Sequence, residues 1–423
     1  MNTLKKYIIL FCSLAITWQI NAQSIGIEEC YKLAKENYPL AKQKDLIVKS
    51  KDYNMQNALK GYLPQVNLVG QASYQSDVTS VDLPASIANM VNIEKPAKDQ
   101  YKLYGEVAQT LYDGGIIKQQ GKIYEANATA DLQRIEVELY KLNERVTDLY
   151  FGILLISEQL HQNELFKKDI KLVLSKVESS VANGVSLKSN ATVLQAEMVK
   201  AEQHNIELSA NRRAYINMLS ELIHKPLNEE TNFIKPPVIN TSENINRPEL
   251  KLFEAQNKII EAQTQMIKAK NLPKLGLFFQ GGAGRPALNM LSNKFDPYFA
   301  GGLRLTIPLT GYYTQKNDLA LLSVNRLSNE VQKETFLFNT HFELKKQNEE
   351  IDKLNQLINT DTELISLRES VKKSSVAQLE NGVINSNDYL RELNAEDIAK
   401  QNKIMHELQL LMALYKQKIT SGN

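Results

Sequence analysis

The sequence predicts an α+β protein built as a tandem repeat, with two β-strands and two very long α-helices in each copy. The helical stretch of each copy closes on an Asn-Gly-Val triplet. The glycine that opens each stretch lies at nearly the same distance from that triplet: 70 residues separate Gly114 from Gly184, and 71 separate Gly311 from Gly382. Because internal repeats decide architecture before local signals do, we expect one long unit to occur twice.

The first 22 residues are expected to be a signal peptide. Lys5 and Lys6 precede an apolar run at 7–20, and Ala22 offers a small residue for cleavage. The run is short for a bilayer span of about 20 residues, which favours removal over anchoring. Cys12 lies too early in the run for a lipid-attachment site, so the exported mature chain is expected not to be lipidated.

Charge argues against a nucleic-acid partner, and cysteine content argues against an internal disulfide. The formal net charge of +2 is accounted for by Lys5 and Lys6, so the chain beyond residue 22 is neutral. Neutrality argues against a nucleic-acid partner, which is held by cationic contacts to phosphates. Cys30 is the only cysteine beyond the signal peptide, so no internal disulfide is expected.

The first copy, residues 23–224, begins with a helical pattern that ends before Pro64, because proline lacks the N–H donor that a helix needs. Alternation of apolar and polar residues then predicts strands at about 65–76 and 101–112. The long helical hairpin that follows has its predicted tip near 183–189.

The second copy, residues 247–420, follows a linker at 225–246 and repeats this order, with strands at about 274–283 and 298–309 and a hairpin tip near 381–388. Each predicted strand is long enough to cross a bilayer at a tilt, and aromatic residues crowd the strand ends. We therefore expect four transmembrane β-strands per chain. The expected strand–helix junctions are Pro64, Pro273, Pro308, Gly114, Gly115 and Gly311.

The helical stretches carry the pattern of a coiled coil. Apolar residues recur at alternating steps of four and three from Ile135 to Val181, and again from Ala191 to Leu222. The 67 residues between Gly115 and Asn183 include no proline, which predicts one helix roughly 100 Å long. Such a helix must pack lengthwise on its neighbours. The Asn-Gly pairs suit tight turns, since glycine adopts the left-handed conformation that ends a helix.

No catalytic or metal-binding motif is present. The five histidines stand apart from one another and from cysteines or acids at ligand spacing. The glycine-rich run at 281–284 lacks the following Lys-Ser/Thr of a phosphate-binding loop. We therefore expect no enzyme activity, no metal site and no cofactor.

Four strands from one chain leave open edges, which lipid does not tolerate, so the sheet must close with strands from other chains. With these features the chain resembles the TolC-like outer-membrane efflux proteins over nearly the whole mature length. The resemblance is carried by Asn246-Arg247-Pro248-Glu249-Leu250 leading to Leu272-Pro273, by Leu111-Tyr112-Asp113-Gly114-Gly115, and by the triplets Asn183-Gly184-Val185 and Asn381-Gly382-Val383.

The resemblance implies a homotrimer in the outer membrane with a large periplasmic portion: a 12-stranded β-barrel on a 12-helix periplasmic α-barrel. It implies a passive exit duct of a tripartite efflux or type I secretion system. The implied partners are a periplasmic adaptor (membrane fusion) protein, an inner-membrane transporter and outer-membrane lipid. The transported substrate and the class of pump cannot be read from the residues.

The resemblance also implies an acidic ring at the periplasmic entrance. Asp388 matches the first family position, six residues after Gly382, whereas the second family acid falls on Arg391. Glu392 offers a substitute carboxylate on a neighbouring helix face. A different interpretation of Asp388 is helix capping, because the segment at 385–388 is rich in capping residues.

Two further sets of residues are expected to serve the duct. Glu106 and Arg304 fall on the polar faces of their strands and should face the barrel lumen, either as solvated wall residues or as selectivity residues. The hairpin tips are expected to dock the adaptor, through Asn183, Gly184, Val185, Asn381, Gly382 and Val383.

A hypothesis from another class is a periplasmic coiled-coil adaptor or structural spacer without a membrane barrel. Adaptors also combine long helical hairpins with β-structure. They carry one hairpin flanked by sheet modules, whereas this chain carries two hairpins in tandem, which favours the duct.

Overall fold

The computed structural model describes residues 24–80, 84, 95–240, 242 and 244–423. The predicted signal peptide, with Cys12, lies outside the described residues. The chain divides into two compact units. We call them the hairpin unit (residues up to 42, 135–248 and 335–423) and the sheet unit (43–134 and 249–334). Each unit draws on both copies of the repeat.

The described elements comprise eight α-helices and six strands. The helices are α1 (Ile27–Asn37), α2 (Gln43–Leu59), α3 (Ile116–Tyr140), α4 (Leu142–Ala182), α5 (Lys188–Ile223), α6 (Pro248–Lys270), α7 (Tyr312–Glu380) and α8 (Ser386–Ser421). The strands are β1 (Ser24–Ile25), β2 (Gln65–Tyr74), β3 (Asp99–Tyr112), β4 (Asn232–Phe233), β5 (Lys274–Arg285) and β6 (Asp296–Thr306).

The sheet unit is organised around a four-stranded antiparallel sheet in the order β2-β3-β5-β6. The ends of these strands differ from the predicted ends by up to three residues, and β6 ends before Pro308, which has no N–H for a ladder. The pairing of β3 with β5 shifts between Thr110 and Tyr112, at the point where β3 approaches its helix. In this unit α6 and α7 are joined by the amide of Asn329, which donates to the Phe253 carbonyl at 2.9 Å.

The hairpin unit contains a small parallel sheet that sequence periodicity does not predict. β1 pairs with β4, so that Ile25 lies opposite Phe233. The hydroxyl of Tyr150 on α4 donates to the carbonyls of Ile25 and Ile234, at 2.8 and 2.7 Å. Strands of two residues are too short for a visible alternation, and their register depends on these long-range contacts.

The first helical stretch is interrupted once, which corrects the prediction of a single helix from Gly115 to Asn183. α3 ends at Tyr140, α4 begins at Leu142, and Lys141 lies between them. Lys141 keeps right-handed helical dihedrals, φ −61° and ψ −21°, so the interruption is a local irregularity. The corresponding stretch of the second copy, α7, is continuous over 69 residues.

Two apolar cores hold the hairpin unit together. One joins α1, the two short strands, α4, α5 and α8 around Tyr150, Leu219 and Ile223. The other lies towards the hairpin tips, where Ile170 and Leu194 are fully buried with Tyr389 and Leu393. The heptad residues of the first hairpin thus form the seam that their spacing predicts.

Of the helices that the structure describes, all fall short of the length and apolar character required to span a bilayer.

Candidate functional site

The two hairpin tips have the same backbone geometry. At the first, Gly184 has φ +74° and the Val185 amide donates to the Ser180 carbonyl at 2.8 Å. At the second, Gly382 has φ +70° and the Val383 amide donates to the Gln378 carbonyl, also at 2.8 Å. This is the Schellman arrangement, which requires a left-handed residue and therefore favours glycine.

Each tip exposes a valine to solvent. Val185 is 83% exposed and Val383 is 71% exposed. Asn183 lies at the end of α4, where its backbone N–H donates to the Ser179 carbonyl. The backbone N–H of Asn381 donates to the Ala377 carbonyl in the same way at the end of α7. The six predicted tip residues thus lie at the turns, and their role in docking stays a prediction.

The tips enclose a shared cavity of about 780 Å³. Residues of both hairpins line it, among them Val177, Leu187, Val376, Leu379 and Ile384. Polar residues such as Lys176, Asn190 and Glu380 line it as well, so the cavity offers another protein both apolar contacts and hydrogen-bonding groups.

Asp388 takes part in a capping box at the start of α8. The side chain of Asn385 accepts hydrogen bonds from the amides of Asn387 and Asp388, at 2.9 and 3.1 Å. The carboxylate of Asp388 accepts in return from the Asn385 amide at 3.4 Å. Asp388 is therefore a capping residue by geometry, and its predicted role at the entrance is a separate, untested property.

Arg391 and Glu392, the other two residues predicted at the entrance, form an ion pair. The Arg391 guanidinium lies 3.1 Å from the Glu392 carboxylate, and Arg368 of α7 approaches the same carboxylate at 3.4 Å. Glu392 is mostly buried, whereas Arg391 is exposed. The charge of Glu392 is thus balanced by two arginines.

An ionic cluster around the buried Glu396 joins α4, α7 and α8 below the tips. The carboxylate of Glu396, which is 2% exposed, binds Lys372 at 2.6 Å and Lys400 at 2.7 Å. Lys372 also binds Asp169 of α4 at 3.0 Å, and Lys400 binds Glu369 at 3.1 Å. Two lysines and three carboxylates therefore share one site.

Proton affinities in this cluster follow its hydrogen bonds. Burial alone would raise the pKa of Glu396, but hydrogen bonds from Lys372 and Lys400 outweigh it and lower the pKa below its usual value. Burial opposes the charge of Lys372 in the same way, yet its bonds to Glu396 and Asp169 raise its pKa. Burial dominates at the adjacent Asp397 and raises its pKa, although Gln162 and Gln401 donate to it.

Sequence reasoning missed this cluster, although a signal for it exists. Helices of an antiparallel hairpin place residues at equal distances from the turn opposite each other. Lys372 and Glu396 are each 12 residues from Ile384. Oppositely charged residues placed symmetrically about Ile384, two residues after the Asn-Gly pair, therefore predict the pairing once the hairpin is assumed.

The polar face of the sheet carries both predicted lumen residues. Glu106 of β3 lies opposite Asn67 and Gln280, and Arg304 of β6 lies opposite Gly276. The guanidinium of Arg304 lies over the ring of Phe278, 4.8 Å from its centre. Glu106 and Arg304 share one face of the sheet but lie in different cross-strand rows.

The opposite face of the sheet is apolar and exposed. Its cross-strand rows hold large aliphatic or aromatic residues beside small ones, such as Phe279 opposite Val107 and Gly301. Its most exposed members are Val66, Leu68, Tyr74, Phe299, Leu303 and Leu305. A contiguous exposed apolar face marks a surface that lipid or protein covers.

The predicted junction residues lie between strands and helices. Pro64 and Pro273 directly precede β2 and β5, and Pro308 follows β6. Gly114 and Gly115 both have positive φ. A side chain on Gly311 would overlap the amide of Asn271, since a Cβ there would lie 1.9 Å from Oδ1.

Among the described residues, no group of three or more His, Cys, Asp or Glu side chains is arranged to hold a metal ion.

Part of the chain matches a known family. Residues 30–223 match the family model described as outer membrane efflux protein. A comparison with curated proteins found no match.

Solved structures share the fold over nearly the whole chain. The structure of CusC is 13% identical with a TM-score of 0.66, covering 93% of this chain and 91% of that chain. VceC of Vibrio cholerae is 12% identical with a TM-score of 0.62, covering 93% and 94%. The open MtrE channel of Neisseria gonorrhoeae is 15% identical with a TM-score of 0.62, covering 94% and 89%.

The predicted resemblance to the TolC-like outer-membrane efflux proteins is therefore confirmed. The family match lies within the first copy, and the shared fold extends over both copies.

Proposed function

We propose that three copies of this chain form a passive exit duct in the outer membrane, through which substrates from an inner-membrane pump leave the cell. The observation that carries the proposal is the four-stranded sheet with β2 and β6 at its edges and one exposed apolar face. Three such sheets joined edge to edge would form a closed barrel of 12 strands. Closure would satisfy the edge strands and turn the apolar face towards lipid.

A row of exposed apolar residues on α7 supports assembly with further copies. In the sheet unit, Leu321, Val324 and Leu327 recur at steps of three, and all are about 60% exposed. A helix with such an exposed apolar stripe commonly buries it against another helix. In the proposed duct, the stripe would pack against a helix of the neighbouring protomer.

The polar face of the sheet would line the lumen, with Glu106 and Arg304 as wall residues. Arg304 is held against Phe278, so it would present a fixed positive charge. The duct itself would carry out no catalysis, and the energy for transport would come from the pump. Whether the pump belongs to a tripartite efflux system or to type I secretion depends on partners that this chain does not contain.

The hairpin tips are the proposed docking surface for a periplasmic adaptor. Both turns expose a valine, and the cavity between them is lined by apolar and polar residues of both hairpins. In the proposed assembly the tips point into the periplasm, where Asp388, Arg391 and Glu392 lie near the entrance.

The test is conductance and efflux in a strain that lacks its own ducts. Wild-type chain purified from outer membranes should form channels in planar bilayers and restore efflux. Val185→Asp and Val383→Asp should abolish efflux and leave conductance and assembly intact, with the solvent-exposed Lys188→Gln as a matched control at the same tip. Efflux that survives both valine substitutions would contradict tip docking, and absence of channels would favour the adaptor or spacer.

A further inference from the structure

An apolar groove of about 340 Å³ lies on the sheet unit, between the end of α2 and the start of α3. Its walls are formed mainly by Met55, Ala58, Leu59, Tyr62, Ile117 and Gly121. The volume is at the lower end of the range for ligand pockets. The groove therefore suits a slender apolar group.

Two lysines stand at the rim of this groove. Lys118 and Lys122 are one turn apart on α3, both are exposed, and neither has an ion-pair partner among the described residues. Glu125 stands one turn further along, so the rim carries a net charge of +1. The rim thus offers cations that no carboxylate of the described chain neutralises by direct contact.

The start of α3 itself contributes little to this charge. The carboxylate of Asp113 already accepts hydrogen bonds from the amides of Gly115 and Ile117, at 2.8 and 2.6 Å. An anion at the rim would therefore be bound by the lysine side chains rather than by the helix terminus.

The position of the groove relates it to the apolar face of the sheet. It lies where β2 begins and β3 ends, and Leu63 and Val66 extend the exposed apolar surface from the groove onto the sheet. If the sheet crosses the outer membrane, this end of the strands is the headgroup level of the periplasmic leaflet. Tyrosine and lysine favour that level, because each combines an apolar body with a polar end.

We propose that the groove binds an anionic glycerophospholipid of the periplasmic leaflet, with an acyl chain along the groove and the phosphate on Lys118 and Lys122. The proposal rests on the proposed function, since it requires the sheet to lie in the membrane. A zwitterionic lipid fits the rim less well, because its own cation opposes the two lysines.

The test is native mass spectrometry of the full-length chain in detergent, titrated with dioleoyl phosphatidylglycerol or dioleoyl phosphatidylcholine. Each lysine near an anionic lipid contributes roughly fivefold in affinity, so Lys118→Gln/Lys122→Gln should lower phosphatidylglycerol retention about 25-fold. Gly121→Phe should fill the groove, since a Cβ there meets nothing within 4 Å and the position lines the groove. Lys316→Gln is the control, at an exposed lysine near the start of α7.

The spectra separate failure of this proposal from failure of the proposed function. Trimers that retain phosphatidylglycerol in the wild type and Lys316→Gln, but lose it in the other two variants, support the site. Trimers that bind both lipids equally, or whose retention the variants leave unchanged, overturn it and leave the duct intact. A chain that is only monomeric would overturn the duct as well.

Discussion

The two helical hairpins share a sequence pattern and a turn geometry but differ in what joins their helices. In the first, α4 and α5 meet through an apolar seam in which Ile170 and Leu194 are fully buried. A single buried amide, Asn163, donates to the Ala201 carbonyl at 2.9 Å and fixes the register of the seam. In the second, charged pairs link α7 and α8, chiefly Lys372 with Glu396 and Glu369 with Lys400. Near the tip these pairs are joined by an apolar contact, in which Val376 and Leu379 pack against the core around Tyr389.

The difference shows how one repeat can yield two mechanically distinct hairpins. Separating an apolar seam exposes hydrocarbon to water and loses stability in proportion to the area exposed. Charged groups that separate recover their hydration, so a seam of ion pairs contributes less net stability than its contacts suggest. We therefore expect the second hairpin to depend more strongly on pH and salt than the first, where the ion pair of Lys167 with Glu202 lies beside an apolar seam.

The largest expected effect is on the apolar seam. Leu194→Ala should destabilise the protein by about 3 kcal/mol, because it removes fully buried methyl groups and leaves a cavity. Urea unfolding of the detergent-solubilised protein, followed by helical circular dichroism, measures the change. Leu172→Ala, at a mostly exposed leucine of α4, is the control and should change stability by less than about 0.5 kcal/mol. Equal effects at both sites would contradict the assigned seam.

A smaller loss is expected in the ionic seam. Glu396→Gln should cost about 2 kcal/mol, since Lys372 and Lys400 lose their shared partner but keep Asp169 and Glu369. The same unfolding assay applies. Glu350→Gln removes an exposed carboxylate that pairs with Lys353 and should change stability by at most about 0.5 kcal/mol. A null effect at Glu396 would mean that the cluster does not join the helices.

The pH dependence of stability should differ between the wild type and Glu396→Gln. The folded-state pKa of Glu396 lies below its unfolded value, so its contribution is present above about pH 4.3 and is lost as pH falls through the folded pKa. For Asp397, whose folded-state pKa is raised, the dependence is reversed: its contribution to stability increases as pH falls. The midpoint temperature of thermal unfolding should therefore decrease more steeply between pH 6 and pH 3 for the wild type than for Glu396→Gln. Parallel curves would refute the assignment.

The smallest effect on stability is expected at the second tip. Asp388→Ala should cost up to about 1 kcal/mol through loss of the capping box, whereas Asp388→Asn keeps an acceptor for the Asn385 amide. Single-channel recordings then separate capping from gating. If Asp388 serves the entrance, both variants should alter cation block, because both remove the charge. Unchanged block in both would remove Asp388 from the entrance.

Local signals predict the parts of the molecule that repeat over short distances. Alternation of period two locates β2, β3, β5 and β6, and the Asn-Gly pairs locate both turns, because each feature depends on neighbours in sequence. The interruption at Lys141 and the pairing of β1 with β4 escape such signals. The pairing depends on contacts across more than 80 residues, such as those made by the Tyr150 hydroxyl, and nothing in the described contacts explains the interruption.

The hairpin tips and the Glu396 cluster differ in the same way in how far the sequence predicts them. The tips are predicted by composition, whereas the Glu396 cluster is formed by residues whose charges look like an ordinary solvated helix face until the helices are paired. The sequence allows two interpretations of Asp388, and the capping geometry is present in the structure. Capping depends on neighbours within four residues, which is why composition alone can predict it.

The most direct test of the duct is the native mass of the protein extracted by detergent from isolated outer membranes. The account predicts a trimer in that fraction, since four strands per chain close into a barrel only with strands from other copies. Monomer in the soluble periplasmic fraction would contradict it, because the apolar face of the sheet would then have to be covered without a membrane.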